Sequence, residues 1–148
     1  MAELEIRRIE YASDEYQEEL RLRDRILRKP LGLDLFSENL SGETGDIHLG
    51  AYEGESLVGV LVLTRTDAQR VRMRQVAVDE SRQRCGIGAK LVDAAEQTAG
   101  ELGYAQMTLH ARETAVGFYE KLGYATEDEP FTEVGIPHRA MVKPLVVQ

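Results

Sequence analysis

One stretch constrains this chain more than any other: Val78-Asp79-Glu80-Ser81-Arg82-Gln83-Arg84-Cys85-Gly86-Ile87-Gly88, where a strand-like run passes through two glycines into a helix. Upstream, Val71, Met73, Val76 and Val78 stand in a run without Gly or Pro, which predicts a strand with an irregularity near Gln75. Downstream, Ile87, Leu91, Ala94, Ala95, Thr98 and Leu102 recur at spacings of three and four and stop at Gly103, the pattern of an amphipathic helix with a glycine end. At such a junction the first backbone N–H groups have no intrahelical partner, and the aligned peptide dipoles leave partial positive charge there. A phosphate suits that place. Gly86 and Gly88 let backbone approach phosphate oxygens closely, and Arg82, Arg84 and Lys90 surround the turn with positive charge.

Two familiar phosphate motifs are excluded by single residues. The dinucleotide fingerprint needs a third glycine where Leu91 stands, and the P-loop needs a Gly-Lys-Ser or Gly-Lys-Thr that is absent. The spacing present is Val78, four residues, Gln83, two residues, Gly86, one residue, Gly88, and this resembles the acyl-CoA pyrophosphate motif of the GNAT superfamily of N-acyltransferases. Ala115-Val116-Gly117-Phe118-Tyr119-Glu120-Lys121-Leu122-Gly123-Tyr124 resembles the late helix of the same superfamily, and Gly135-Ile136-Pro137-His138 resembles its ElaA-like branch, where the histidine precedes the last strand. The likeness is clear from about Leu57 to Lys143.

The resemblance implies an α/β fold with a GNAT-type mixed, mostly antiparallel central sheet, a splay between two parallel strands, and flanking helices. It implies acetyl-CoA as cosubstrate. Main-chain groups of Val76, Ala77 and Val78 would pair with pantetheine, and the N–H near Val76 would hold the thioester carbonyl and the oxyanion formed on attack. Gln83, Arg84, Cys85, Gly86, Ile87, Gly88 and Ala89 would wrap the pyrophosphate, with Cys85 a filler of the loop whose thiol a helix N-terminus activates. Tyr119 would protonate the departing thiolate, while Phe118 packs. Many such proteins place Asn three residues before the alanine of the late helix; Arg112 holds that position here and would reach a phosphate or pantetheine group.

The group that deprotonates the acceptor is open. Gln75 stands on the central strand where a carboxylate is sometimes found, and an amide cannot act as a base. The candidates are His110, Glu133 and His138, with His48 on an early strand. The acceptor pocket is expected from Arg28 to Leu40 and from Phe131 to His138. Direct attack of a primary amine in a ternary complex is the expected mechanism, and a non-catalytic acyl-CoA sensor or interaction module is the alternative. The acceptor is a small-molecule or protein amine, and a homodimer is among the assemblies the resemblance allows.

With 148 residues, 43% hydrophobic and 30% charged, one domain spanning 1–148 is expected. The net charge of −8 argues against nucleic acid as a partner. Met1 to Arg8 lacks a signal-peptide core and no apolar run approaches spanning length, so a cytoplasmic protein without a membrane partner is expected. A single cysteine excludes an internal disulfide, and the three histidines are too dispersed to predict a metal site.

The remaining pattern predicts a strand over Glu3 to Glu10, a helix over Asp14 to Leu27 capped by Ser13, and an irregular or briefly helical Leu31 to Leu40. A hairpin is expected from Ile47 to Tyr52 and Ser56 to Thr66. After the glycine helix come a strand over Ala105 to His110, a helix over Thr114 to Leu122, and strands over Ala125 to Phe131 and Arg139 to Leu145.

Overall fold

The computed structural model describes residues 3–147. Among the described residues, seven strands and three α-helices follow one another as β1 (Leu4–Ile9), α1 (Asp14–Leu27), β2 (Ile47–Glu53), β3 (Ser56–Arg65), β4 (Arg70–Val78), α2 (Ile87–Glu101), β5 (Gln106–Arg112), α3 (Val116–Lys121), β6 (Ala125–Glu133) and β7 (Ile136–Pro144). The strand order is β1-β2-β3-β4-β5-β7-β6. The β4/β5 pair is parallel; β1/β2, β2/β3, β5/β7 and β6/β7 are antiparallel. The mixed, mostly antiparallel α/β class expected from the sequence is the class observed.

The chain forms two compact units. The first comprises residues 1–64 and 75–95, the second 65–74 and 96–148, so β4 and α2 each contribute to both. In the first unit, α1 opens as predicted, with Ser13 Oγ accepting from the Tyr16 N–H at 3.1 Å. Ile9, Tyr16, Leu20, Leu22, Leu35, Val60 and Ala77 form one buried cluster. The segment between α1 and β2 has no hydrophobic period. It is a series of 3-10 turns at Lys29–Leu31, Leu35–Ser37 and Ser41–Gly45. Its anchor is Leu35, fully buried, whose N–H donates to Asp24 Oδ1 at 2.9 Å.

In the second unit the paired register of β4 with β5 runs only from Arg70↔Gln106 to Met73↔Leu109, while β5 continues to Arg112 and β4 to Val78. Four paired residues in a nine-residue strand leave the rest of β4 outside that ladder, and the irregularity expected near Gln75 is a left-handed residue, φ 56°. Alternation along β5 and β7 sends Met107, Leu109, Ala111 and Met141 to one buried face and His110, Arg112 and His138 to the other.

The last hairpin corrects the sequence reading. The strands were expected to stop at Phe131 and resume at Arg139, with His138 ahead of the last strand. Instead the ladder continues through Phe131↔His138, Thr132↔Pro137 and Glu133↔Ile136, so His138 lies inside β7. The cause is the two-residue turn: Val134 and Gly135 both have positive φ, 52° and 72°, the backbone of the tightest hairpin connection, which brings the flanking residues into register.

Candidate active site

The glycine turn is built in the first unit. Asp79 starts it by donating its N–H to Val58 O at 2.8 Å, and its carboxylate accepts from the Ser81 N–H at 2.9 Å and Ser81 Oγ at 2.7 Å. Those two Ser81 bonds hold the Asp79 carboxyl below the usual carboxylate range. Arg25 of α1 ties in with Nη2 on Asp79 Oδ2 at 2.8 Å and Nε on Glu80 Oε1 at 3.0 Å. Gln83 Nε2 donates to Val78 O at 3.1 Å. The glutamine of the motif therefore braces the turn against the end of its own strand, a role the spacing alone did not reveal. Arg82 is paired with Glu53, so its charge is already partnered within the unit.

Arg84 and Gly86 then adopt left-handed conformations, φ 67° and 81°, and the first helical bond of α2 runs from Lys90 N to Gly86 O at 3.1 Å. A Cβ placed on Gly86 meets nothing within 4 Å, so the space above this backbone is open. An open, glycine-lined backbone at a helix N-terminus fits a phosphate group. Cys85 is exposed within it, with Sγ 3.8 Å from Gln83 O. Ile87 of the first helical turn packs under the loop, and Gly59 of β3 admits it: a Cβ there would stand 2.9 Å from Leu91 Cδ1 and 3.1 Å from Ile87 Cγ2. Val76 and Val78 are half-buried and Ala77 is buried.

The segment expected to face the acceptor is held to the same unit by Arg28. Its Nε donates to Glu38 Oε2 at 2.7 Å and its Nη2 to Gln75 Oε1 at 3.3 Å. Leu31, Leu33 and Phe36 on this segment are exposed.

His48 leaves the list of base candidates. It is 1% exposed, with Nδ1 2.9 Å from Glu19 Oε2 and Nε2 3.1 Å from Glu43 O. Arg23, also buried, donates to Glu19 Oε2 at 2.8 Å and to the two Glu43 carboxylate oxygens at 2.8 and 2.7 Å, and Tyr16 Oη donates to Glu43 Oε1 at 2.8 Å. Glu19, Glu43 and His48 bring ligand-type atoms within 4.8 Å of one another. The Arg23 guanidinium already occupies the position a cation would take. Burial pushes the His48 ring toward neutrality, but the hydrogen bond and charge of Glu19 outweigh it and raise the ring above its ordinary value. Burial likewise raises Glu43, and the Arg23 guanidinium more than reverses this, leaving it below the usual range. This is a structural network that the sequence reading missed, since Glu19 and Arg23 look like an ordinary i,i+4 surface pair.

In the second unit Tyr119 of α3 is 8% exposed and packs edge-on against Phe118 and Tyr124, with ring centroids 5.0 and 5.8 Å away. Burial pushes its phenol up to about 12. Tyr124 Oη donates to Glu96 Oε2 at 2.9 Å, and Lys143 Nζ to Glu96 Oε1 at 2.8 Å and Leu122 O at 2.8 Å, which seats the end of α3. Arg112 is the last residue of β5 and pairs in register with His138. The three other base candidates, scattered in sequence, come together here: His110 Nδ1 is 3.1 Å from Glu133 Oε1, and His138 Nε2 is 3.6 Å from Glu133 Oε2.

The fold thus sets a glycine turn that fits a phosphate at the start of α2, and a short parallel pairing of β4 with β5. The acetyltransferase (GNAT) domain model matches residues 13–145, and the chain belongs to that family. A Bacillus subtilis protein provisionally named an acetyltransferase is 36% identical over 96 residues, 65% of this chain and 65% of the relative, so the match spans slightly under two thirds of that protein's length. Among solved structures, an acyl-CoA N-acyltransferase from Pseudomonas aeruginosa superposes with a TM-score of 0.81 at 22% identity, covering 95% of this chain and 99% of that one. Escherichia coli ElaA gives 0.78 at 19%, covering 97% and 99%. An aminoglycoside 6'-N-acetyltransferase complexed with coenzyme A gives 0.80 at 18%, covering 97% and 98%. These likenesses establish the fold.

Proposed function

We propose that this chain is an N-acetyltransferase that moves an acetyl group from acetyl-CoA to a primary amine by direct attack in a ternary complex. The observation that carries the reading is the turn from Val78 to Ala89, where left-handed Arg84 and Gly86 open α2 with unobstructed backbone after a strand. Gln83, Arg84, Cys85, Gly86, Ile87, Gly88 and Ala89 wrap the pyrophosphate, and the main chain of Val76, Ala77 and Val78 pairs with pantetheine, the N–H near Val76 polarising the thioester carbonyl. Arg112 reaches a phosphate or pantetheine oxygen. Tyr119, kept a neutral phenol by burial, gives its proton to the departing thiolate.

The reaction needs no metal, and the chain acts in the cytoplasm on a small-molecule or protein amine. No helix among the described residues is long and apolar enough to cross a membrane. The test is release of free CoA thiol from acetyl-CoA across a panel of primary amines, alongside binding of acetyl-CoA by calorimetry. Amine-dependent release supports the reading. Saturable binding with no release on any amine assigns the chain instead to acyl-CoA sensing, and absence of binding removes both.

A further inference from the structure

One sheet face of the second unit holds a conflict over a single proton. Register and alternation place Arg72 of β4, His110 of β5, His138 of β7 and Phe131 and Glu133 of β6 on one face, opposite the buried Met107, Leu109 and Met141. Arg72 Nη2 lies 2.8 Å from His110 Nδ1, and Glu133 Oε1 lies 3.1 Å from the same nitrogen. A guanidinium only donates, so its contact needs a lone pair on Nδ1. A carboxylate only accepts, so its contact needs a hydrogen there. One ring nitrogen cannot serve both.

The two partners select different tautomers with different chemistry. With Arg72 on Nδ1, the neutral ring carries its hydrogen on Nε2 and is not basic there. With Glu133 on Nδ1–H, the Nε2 lone pair is free, and the ring is oriented as a base by a carboxylate behind it. His138 bears on the outcome. Its Nδ1 hydrogen goes to Ile136 O at 2.8 Å, so a neutral His138 turns a lone pair toward Glu133 Oε2 at 3.6 Å and offers no bond. Glu133 is thereby left to His110. Phe131 holds both rings, edge-on to His110 with centroids 5.0 Å apart and stacked on His138 at 5.9 Å. His110 is 32% exposed at its side chain and within reach of solvent, whereas His138 is 8% exposed.

We infer that His110 is the residue that takes the proton from the acceptor ammonium, that Glu133 is its positioning residue, and that Arg72 holds the same ring in its inactive tautomer until it is drawn away. The inference rests on the acetyltransferase reading above. One N–H bond of the ammonium breaks as its hydrogen passes to His110 Nε2, and the resulting imidazolium donates from Nδ1 to Glu133. The freed amine lone pair forms the bond to the acetyl carbon, and the C–S bond breaks. Of the ammonium's three hydrogens one stays on the amide, one leaves through His110 to water, and one replaces the phenolic hydrogen that Tyr119 gives the thiolate. A histidine suits the task better than Glu133 itself, because its reference value near 6.5 stands closer to neutrality than the 4.3 of a glutamate. The charged and titratable groups that share the face of His110 among the described residues include Arg72, Glu133 and His138, with Arg112 of β5 and Glu127 of β6 placed there by register and Arg74 acting on Arg72.

Two readouts test it on the intact chain. Nitrogen-15 NMR of the imidazoles reads the tautomer of His110 without any acceptor. In Glu133→Gln the neutral ring shifts toward the tautomer with its hydrogen on Nε2, and in Arg72→Gln toward the one with its hydrogen on Nδ1, opposite directions that loss of packing does not produce. Thiol-release kinetics are measured with the best amine of the panel from about pH 6 to about pH 10. His110→Gln loses roughly 100-fold in kcat near neutrality, with the deficit closing as the amine deprotonates by itself, while acetyl-CoA binding is unchanged. An unmoved His110 tautomer ratio in both variants overturns the inference, as does a His110→Gln deficit independent of pH or a fully active His110→Gln. Absence of thiol release from the unmodified chain on every amine strikes the acetyltransferase reading instead.

Discussion

Arg23→Met should be the most destabilising single substitution in the first unit. The side chain is fully buried and donates three hydrogen bonds of 2.7–2.8 Å to two buried carboxylates, Glu19 and Glu43. Methionine fills similar volume, so little cavity is created, and the loss is electrostatic. The Glu19 carboxylate then faces only the His48 ring, and the Glu43 carboxylate only the Tyr16 hydroxyl. Breaking a buried ion pair from one side costs about 3–5 kcal/mol, because the remaining charge is uncompensated. At about 2–4 °C per kcal/mol for a chain of this size, the melting temperature falls by roughly 6–20 °C near neutral pH. The deficit should shrink on acidification, because the guanidinium that held Glu43 below the usual range is gone and protonating the carboxylates relieves the imbalance. The combined Glu19→Gln, Arg23→Met, Glu43→Gln variant should recover most of the loss. It also removes a buried atom that has no partner, Arg23 Nε, a drag of about 1–3 kcal/mol. Urea denaturation followed by circular dichroism at about pH 7 and about pH 5 measures all of this. A loss below about 1 kcal/mol for Arg23→Met, equal at both pH values, would refute the claim that the network is electrostatically coupled.

The remaining predictions concern His48, the cofactor turn and the phenol. His48 is raised in the folded protein, so its contribution is fully present below the unfolded value near 6.5 and is lost as pH rises through the folded one. Thermal melts should therefore decline across that window, and His48→Gln should flatten the decline; an unchanged slope would show that another group titrates. Gly86→Ala meets no atom within 4 Å, so its cost is confined to the left-handed backbone, about 1–2 kcal/mol, and to crowding of the phosphate. Its KM for acetyl-CoA should rise roughly tenfold with the fold intact, and an unaltered KM would take the turn out of the cofactor site. Tyr119→Phe should lower kcat roughly 100-fold while leaving acetyl-CoA affinity near the original value. Full turnover would reduce Tyr119 to packing against Tyr124.

How far the sequence carried this structure depends on where each element finds its partners. Ser13, α1 and the glycine turn are encoded by neighbours in the chain, which is why cap, period and stop could be read from residue types alone. The segment from Lys29 to Gly45 has no such code, because Leu35, Arg28 and Glu43 fix it through Asp24, Gln75 and Arg23, all distant in sequence. The same limit hid the buried network: Glu19 and Arg23 read as solvated charge until β2 supplies His48 and the turn before it supplies Glu43. At the last hairpin the difficulty is a β-branched residue, Val134, at φ 52°, where turn chemistry predicts Asn or Gly. That one residue concealed the tight turn and so misplaced His138. The error bears on chemistry, because the extended ladder is what aligns Glu133 with Ile136 and Phe131 with His138 on the face that carries His110. A hairpin tip two residues long leaves the Glu133 carboxylate little freedom to leave the two imidazoles. A longer, looser tip built by inserting glycines after Gly135 should therefore weaken the coupling of Glu133 to His110 while leaving the β4/β5 pair and the glycine turn untouched.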